Sequence, residues 1–247
     1  MYSFSFSFSF ALVIFLLIAF GAISFCLKKL TGIASIAGVI TAALIYLGAG
    51  LPGVMMLAVF FVLGTAATYH QRNYKNAMRL ADERGSKRNA GQVLANAGVA
   101  GVLALLNIAT GYTQPVLLVM VAASLASATG DTLSSELGNV YGKNFYNVLN
   151  FKKDERGLNG VISVEGTLFG AIGSLAIATI HAIAYDLNFA FFVILVSGIA
   201  GNLSDSLLGA SFERKGYLGN NAVNFLNTAI AAVVALLLIR LQGGWRV

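Results

Sequence analysis

The sequence predicts an all-α fold, a polytopic integral membrane helix bundle of about eight transmembrane helices. Of its 247 residues, 57% are hydrophobic and only 11% are charged, whereas roughly 25% of the residues in an average soluble domain are charged. A helix needs about 20 mostly apolar residues to cross the bilayer. Apolar segments of about that length follow one another along the chain, at 4–27, 33–51, 53–69, 93–110, 115–134, 161–185, 189–209 and 222–241.

These segments leave no room for a separate soluble domain. We therefore expect one transmembrane domain over 1–247, consisting of a three-helix part at 1–92, which includes a basic cytoplasmic loop, and a five-helix catalytic core at 93–247. The 27 glycines favour closely packed helices, because small residues let helix backbones approach each other in a membrane. The single Cys26 lies in an apolar run, which excludes disulfides as an organising feature.

Local signals at the segment ends support this division. Segment 4–27 opens with alternating Ser and Phe, but it lacks the basic start and the small-residue cleavage site of a secretory signal. We therefore expect it to be a retained first helix. Pro52 and Pro115 lie at the starts of the third and fifth segments, where a helix does not need the N–H group that proline lacks.

The basic residues alternate between the two sides of the predicted bundle. Fourteen of the 16 lie in the connections after the first, third, fifth and seventh segments: Lys28, Lys29, Arg72, Lys75, Arg79, Arg84, Lys87, Arg88, Lys143, Lys152, Lys153, Arg156, Arg214 and Lys215. By the positive-inside rule these connections are cytoplasmic and both termini lie outside. Topology therefore accounts for the net charge of +6, and we expect no nucleic-acid partner.

Acidic residues from different segments are predicted to lie at one depth. Asp131 is 16 residues beyond Pro115, and Asp205 is 16 residues beyond Phe189, so each lies about 24 Å from the outer end of its helix. Glu136 follows Asp131 by little more than one helical turn. An ionised carboxylate at the hydrocarbon costs ~2.5–3.5 kcal/mol even on the lenient insertion scale, so several carboxylates at one level require partners.

Divalent cations are the partners that this pattern favours. Mg²⁺ accepts carboxylate and hydroxyl oxygens, and it is usually bound through one or two carboxylates together with substrate phosphates. In both segments the Asp is followed by a hydroxyl residue and Leu, with a Gly nearby, which is a weak indication of an internal repeat. The alternative is that Asp131 and Asp205 only hydrogen-bond neighbouring helices.

The connection at 139–164 has the composition of an anion-binding loop. It is rich in Gly, Asn and basic residues, and its end, with Arg156, Asn159 and Ser163, leads directly into the sixth helix. Flexible glycines and polar donors at a helix N-terminus favour phosphate binding. The alternative is an inert turn, since the loop does not match the GxxxxGK[ST] pattern of a P-loop.

Amide side chains are predicted at the same level of the bundle. Gln92 and Asn96 are four residues apart, so they share one face at the start of the fourth segment. Asn221 and Asn224 lie at the start of the eighth segment, and Arg88 precedes the fourth. These residues are candidates for contacts to a polar ligand.

Four motifs resemble those of the phytyl-phosphate kinase family, which comprises polytopic membrane proteins. They are 92–96 (QVLAN), 130–138 (GDTLSSELG), 159–163 (NGVIS) with the Gly-Thr pair at 166–167, and 205–209 (DSLLG). The likeness covers about 90–228 and keeps the order of the motifs. It implies a Mg²⁺-dependent transfer of the γ-phosphoryl group of a nucleoside triphosphate, expected to be CTP, to an isoprenyl monophosphate such as phytyl or geranylgeranyl phosphate.

The resemblance and the predicted depth of the acidic residues together assign roles. Phosphoryl transfer needs mainly positioning and charge neutralisation. We expect the catalytic residues, which bind Mg²⁺, to be Asp131, Glu136 and Asp205. We expect the phosphates to be bound by Arg88, Lys143, Arg156, Asn159 and Ser163, and the nucleotide or lipid headgroup by Gln92, Asn96, Asn221 and Asn224. Membrane lipids are the remaining partners, and homo-oligomer formation is compatible with the sequence.

Three other functions stay open at this point. A CTP-dependent cytidylyltransferase would release pyrophosphate and leave a CDP-lipid. A kinase that acts on the free isoprenyl alcohol would need a general base, which Asp131 or Glu136 could supply. A transporter would also contain intramembrane carboxylates, but its site would lie at the bilayer midplane rather than near one face.

Overall fold

The computed structural model describes residues 2–78, 87–112 and 114–243. Arg79 and Arg84, two of the basic residues used to predict the topology, lie outside the described residues. The helices are α1 (Tyr2–Cys26), α2 (Gly32–Tyr69), α3 (Arg72–Ala77), α4 (Ala90–Ala109), α5 (Pro115–Tyr141), α6 (Val164–Tyr185), α7 (Phe189–Leu208), continued by a π-helical turn (Gly209–Glu213), and α8 (Asn220–Leu241). The all-α class is thereby confirmed.

The integral membrane bundle is confirmed, whereas the count of eight spans is not. Within the described residues, six helices are long and apolar enough to cross a membrane, namely α2, α4, α5, α6, α7 with its π-helical turn, and α8. The apolar stretch Phe10–Cys26 of α1 is shorter. The predicted second and third segments lie within the single helix α2.

Helix α2 reverses direction at Gly50. This glycine has φ +66° and ψ −165°, outside the helical region, and Pro52 follows it as predicted for a segment start. The 38 residues of α2 would span about 57 Å as a straight helix. The Lys29 Nζ, just before α2, nevertheless lies 3.1 Å from the centre of the Tyr69 ring at its other end. We call 32–49 the first limb of α2 and 51–69 the second limb.

Helix α5 forms the centre of the bundle. It packs against α2, α4, α6, α7 and α8, and its residues Val121, Ala122 and Leu125 have no exposed surface. Small residues let α6 lie directly against it, as expected from the glycine content. A side chain at Gly138 would lie 2.8 Å from the Cα atom of Gly166 in α6.

One end of the bundle collects the basic connections. There α1, the second limb of α2, α5 and α7 end, and α4, α6 and α8 begin; we call it the basic end. The connection from α5 to α6 contains a short antiparallel pair, β1 (Tyr146–Asn147) and β2 (Val161–Ile162). Asp154 in this connection accepts a hydrogen bond of 2.7 Å from Arg214, which joins the loop to the connection between α7 and α8.

Candidate functional site

A polar cavity of about 280 Å³ opens at the basic end. Elements from both predicted parts of the chain form its walls, including the second limb of α2 and the helices α4, α5, α7 and α8. Nine of the twelve predicted site residues line it: Arg88, Gln92, Asn96, Asp131, Glu136, Asn159, Ser163, Asp205 and Asn224. Residues on both sides of residue 92 line this one cavity. The predicted division into a three-helix part at 1–92 and a five-helix catalytic core at 93–247 stays a prediction.

Asp131 and Asp205 meet in this cavity. Helix α5 presents Asp131 and α7 presents Asp205, and their carboxyl groups lie within hydrogen-bonding contact of each other. Asn227 on α8 donates to the Oδ1 atom of Asp205 at 2.7 Å. The Oδ1 atom of Asn227 in turn accepts from Ser127 Oγ at 2.9 Å, so the amide is oriented with its NH₂ group towards the acidic pair.

The donor set suits a hard cation that also binds a phosphate. Two carboxyl groups in contact hold either a shared proton or a cation between them. Among the described residues, no group of three or more His, Cys, Asp or Glu is arranged to hold a metal ion by itself. Mg²⁺ commonly takes only one or two carboxylates and completes its shell with water and phosphate oxygens. The carboxyl pair therefore fits a Mg²⁺ ion whose remaining ligands are water and substrate phosphate oxygens.

Glu136 lines the cavity, but it is also part of an ion pair that the sequence did not indicate. The Lys75 Nζ lies 2.6 Å from Glu136 Oε2, and it also donates to the carbonyl oxygens of Ala67 and Thr68 at the end of α2. Lys75 is only 2% exposed. One oxygen of Glu136 is thus bound to a buried ammonium group, and its role as a metal ligand stays a prediction.

Arg88 is fixed at the cavity wall by its backbone. Its N–H donates to the carbonyl of Lys29 at 2.9 Å, and its own carbonyl accepts from Thr31 at 3.0 Å. The guanidinium carbon lies 5.2 and 5.8 Å from the ring centres of Phe60 and Phe61. Burial lowers the pKa of Arg88, and the charge of Glu136 opposes this effect. No described carboxylate lies within salt-bridge distance of Arg88, and its contact to a phosphate stays a prediction.

The amide side chains of Gln92 and Asn96 at the start of α4 differ in their hydrogen bonding. Gln92 and Asn89 form a capping box, in which each side chain accepts from the other residue's backbone N–H at 2.9 Å. The Nδ2 group of Asn96 donates to the carbonyl of Gln92 at 2.8 Å. Its Oδ1 atom is buried and has no hydrogen-bond partner within the described part of the chain. Asn96 therefore offers an acceptor to a ligand that carries a donor.

The polar groups of the loop before α6 are largely engaged in hydrogen bonds within the protein, which its composition did not indicate. The hydroxyl of Ser163 accepts from the backbone N–H of Gly166 at 3.0 Å and caps α6. Gly160 has φ +76° and lies against Ala210 of the π-helical turn, where a side chain would clash. Asn159 is hydrogen-bonded to Glu213. The loop is thereby held against the end of α7, with Asn159 and Ser163 in the cavity wall.

Three predicted phosphate or ligand contacts lie outside the cavity lining. Arg156 donates to the Tyr74 hydroxyl at 2.7 Å and to the carbonyl of Gly142 at 3.1 Å. Lys143 is exposed. Asn221 packs beside Gly91 at the start of α4. Their proposed contacts to a ligand stay predictions.

Several polar residues of the site were not found from the sequence. Glu213 lies in the cavity wall, is hydrogen-bonded to Asn159 and Asn220, and acts electrostatically on Asp131 and Asp205. Lys29, Lys87 and Asn202 also line the cavity. Asn202 precedes Asp205 by three residues, so helical spacing alone could have placed both on one face.

Comparison with known proteins places these features in a family. The model of the family described as integral membrane protein DUF92 matches residues 15–232. The chain is 34% identical over 198 residues to Protein VTE6, chloroplastic, of Arabidopsis thaliana, a match that covers 76% of this chain and 59% of that protein. This chain thus spans less than two thirds of the length of that relative.

Two prokaryotic proteins have similar identity and fuller coverage. An uncharacterised membrane protein of Methanocaldococcus jannaschii is 33% identical over 189 residues, which cover 76% of this chain and 77% of that protein. An uncharacterised membrane protein of a Synechocystis strain is 33% identical over 206 residues, with 78% and 76% covered. No solved structure matches. These matches confirm the family resemblance that the four motifs indicated.

Proposed function

Because this chain belongs to the DUF92 family of integral membrane proteins, and its motifs place it with the phytyl-phosphate kinases, we propose that it is a membrane-embedded isoprenyl-phosphate kinase. The reaction is the Mg²⁺-dependent transfer of the γ-phosphoryl group of CTP to an isoprenyl monophosphate, such as phytyl or geranylgeranyl phosphate. The products are CDP and the isoprenyl diphosphate. The basic end, which contains the polar cavity, faces the cytoplasm.

One observation carries this proposal: the contact of Asp131 and Asp205 inside a polar cavity at one end of a membrane bundle. A lipid monophosphate keeps its hydrocarbon chain in the bilayer and its headgroup at the boundary, while a nucleotide arrives from the aqueous side. The cavity lies where these two reactants meet. Its position near one end favours a reaction at the headgroup level over transport, for which a site at the midplane is typical.

The residues of the cavity divide the chemical tasks. Asp131 and Asp205 would hold Mg²⁺, which when bound neutralises the charge of the triphosphate. Asn227 holds Asp205 in place through the hydrogen bond of 2.7 Å. Arg88 supplies the positive charge for the lipid phosphate. Asn96 offers its unpaired Oδ1 atom to a hydroxyl or amino group of the nucleotide.

The proposed reaction does not require a general base from the protein. The attacking oxygen of an isoprenyl monophosphate is already ionised at neutral pH, so no side chain has to remove a proton from it. Catalysis then rests on alignment and on charge neutralisation between two anionic reactants. Both requirements suit a cavity that combines a carboxylate pair with arginine and amide groups.

The experiment uses detergent-purified protein with CTP labelled at either the α or the γ position. Isoprenyl monophosphates and the corresponding alcohols serve as acceptors, and products are identified by mass. We expect the γ label, and not the α label, in an isoprenyl diphosphate. An α label in the lipid with release of pyrophosphate would instead indicate a cytidylyltransferase. Label transfer to the alcohols alone would indicate an alcohol kinase.

A further inference from the structure

A second cavity adjoins the polar one and has the opposite character. Its volume is about 260 Å³, and it lies between α1, both limbs of α2 and the start of α4. Its walls are mainly Leu, Val, Ala and Phe side chains, among them Leu16, Phe20, Val39, Leu57 and Phe61. A cavity of this composition favours a hydrocarbon occupant.

The two cavities share a boundary at Arg88 and Gln92. Both residues line the polar cavity and the apolar cavity. The guanidinium of Arg88 therefore separates a space that suits phosphate from a space that suits an alkyl chain. No described carboxylate lies within salt-bridge distance of Arg88, although the charge of Glu136 acts on it from farther away, so an anionic headgroup at this junction would meet a positive charge.

The apolar cavity extends along two helices and can hold part of a hydrocarbon chain. Along α4 its wall continues from Gln92 to Ala97, an advance of roughly 7 to 8 Å at the rise of a helix. Along the second limb of α2 it extends from Phe61 back to Val54. Half of the hydrocarbon layer is about 15 Å thick. The cavity thus extends from Arg88 part of the way along the apolar segments of α2 and α4.

Helix α1 completes the cavity without filling it. Ser35 in the first limb of α2 donates to the carbonyl of Gly21 at 3.1 Å, and the rings of Phe20 and Phe61 pack edge to face at 5.3 Å. These contacts hold α1 across the open side of the α2 limbs. Leu16, Leu17 and Phe20 then form the wall opposite α4, and the space between remains.

We propose that this apolar cavity binds the hydrocarbon chain of the lipid substrate, whose phosphate lies beside Arg88 at the boundary with the polar cavity. The proposal rests on the function proposed above and adds a binding site for the chain. It implies that the N-terminal helices, which contain no predicted catalytic residue, determine which chain lengths the protein accepts. A bilayer phospholipid chain is the competing occupant.

Filling the cavity tests this proposal through substrate selectivity. Ala58 lines the cavity, and Ala58→Leu would displace part of the chain. The loss of about two buried methylene contacts lowers kcat/KM for geranylgeranyl phosphate roughly tenfold, whereas kcat/KM for dimethylallyl phosphate, which has a short chain, stays within about twofold. Ala66→Leu is the matched control, because Ala66 lies on the exposed face of the same limb. Equal selectivity in the wild type, Ala58→Leu and a second filling variant, Gly38→Leu, would overturn the proposal.

Photolabelling separates this site from the catalytic proposal. An isoprenyl phosphate with a diazirine at the end of its chain is irradiated with the purified protein, and labelled residues are identified by mass. We expect labels in α1 and the α2 limbs, competition by geranylgeranyl phosphate, and about tenfold weaker labelling in Arg88→Gln. Equal labelling by a diazirine phospholipid, without such competition, would make the cavity a bilayer-lipid site. Absence of kinase activity in the wild type would refute the function but leave this readout intact.

Discussion

The hydrogen bond from Asn227 to Asp205 gives the sharpest prediction about the carboxylate pair. Asn227 is fully buried, donates to Asp205 at 2.7 Å and accepts from Ser127 at 2.9 Å. Asn227→Ala removes both bonds. A hydrogen bond to a charged group contributes about 1.5–3 kcal/mol, and each ~1.4 kcal/mol is a factor of ten in binding. We therefore expect the Mg²⁺ concentration for half-maximal activity to rise roughly 10- to 100-fold.

The assay is a Mg²⁺ titration of phosphoryl transfer with purified protein at saturating CTP and lipid phosphate. Asn107→Ala is the matched control, because Asn107 is also a buried amide that donates a hydrogen bond, of 2.8 Å, to the carbonyl of Gly48. This bond lies far along α4 from the basic end. Asn107→Ala should lower the melting temperature but leave the Mg²⁺ requirement unchanged. If both variants need the same Mg²⁺ concentration as the wild type, the hydrogen bond from Asn227 does not support Mg²⁺ binding.

Three further predictions concern stability and are read by thermal unfolding in detergent. Lys75→Met leaves Glu136 without its buried partner and should destabilise the fold by about 2–3 kcal/mol, less than for a fully buried pair because the carboxylate is partly exposed. Gly138→Val should cost about 1–3 kcal/mol by forcing α5 away from α6. Arg214 holds the pKa of Asp154 below its ordinary value, so Arg214→Ala should lower stability at neutral pH.

Each of these predictions has its own control. Adding Glu136→Gln to Lys75→Met should restore part of the lost stability, and an additive loss would contradict the ion-pair explanation. Gly219→Ala, where a side chain meets no atom within 4 Å, should cost clearly less than Gly138→Val, because it only replaces the N-cap of α8 with a poorer one. The contribution of Asp154 is present above its ordinary pKa of about 3.9 and is lost as the pH falls through the lower pKa of the folded state. A difference between wild type and Arg214→Ala that persists unchanged at pH ~2 would contradict this account.

The sequence predicted that Asp131 and Asp205 lie at one depth, because depth follows from the number of residues between each Asp and the start of its helix. Each lies 16 residues from a recognisable segment start, and the rise of a helix converts this count into depth. Depth alone does not fix the direction of a side chain around its helix. The contact between the two carboxyl groups depends on how α5 and α7 pack, which the sequence pattern does not contain.

Other parts of the site depend on contacts between distant parts of the chain. In the sequence, Lys75 is one of several basic residues in the same connection. Its burial against Glu136 depends on the packing of α3 against the end of α2. The π-helical turn after α7 places Glu213 in the cavity wall. The sequence contains no residue pattern that predicts such a turn. The apolar cavity is lined by ordinary Leu, Val and Phe side chains, which are indistinguishable in sequence from residues that pack against lipid.

The most direct measurement compares γ-phosphoryl transfer from CTP to phytyl monophosphate by the wild type, Asp131→Asn and Asp205→Asn, together with their melting temperatures. Asparagine keeps the size of aspartate and one acceptor oxygen, but it replaces the other oxygen with an NH₂ group and removes the charge that Mg²⁺ requires. We expect transfer to fall to background in both variants, and each variant to melt at or above the temperature of the wild type, because a contact between two acidic groups is relieved. Near-normal turnover in either variant would contradict this expectation.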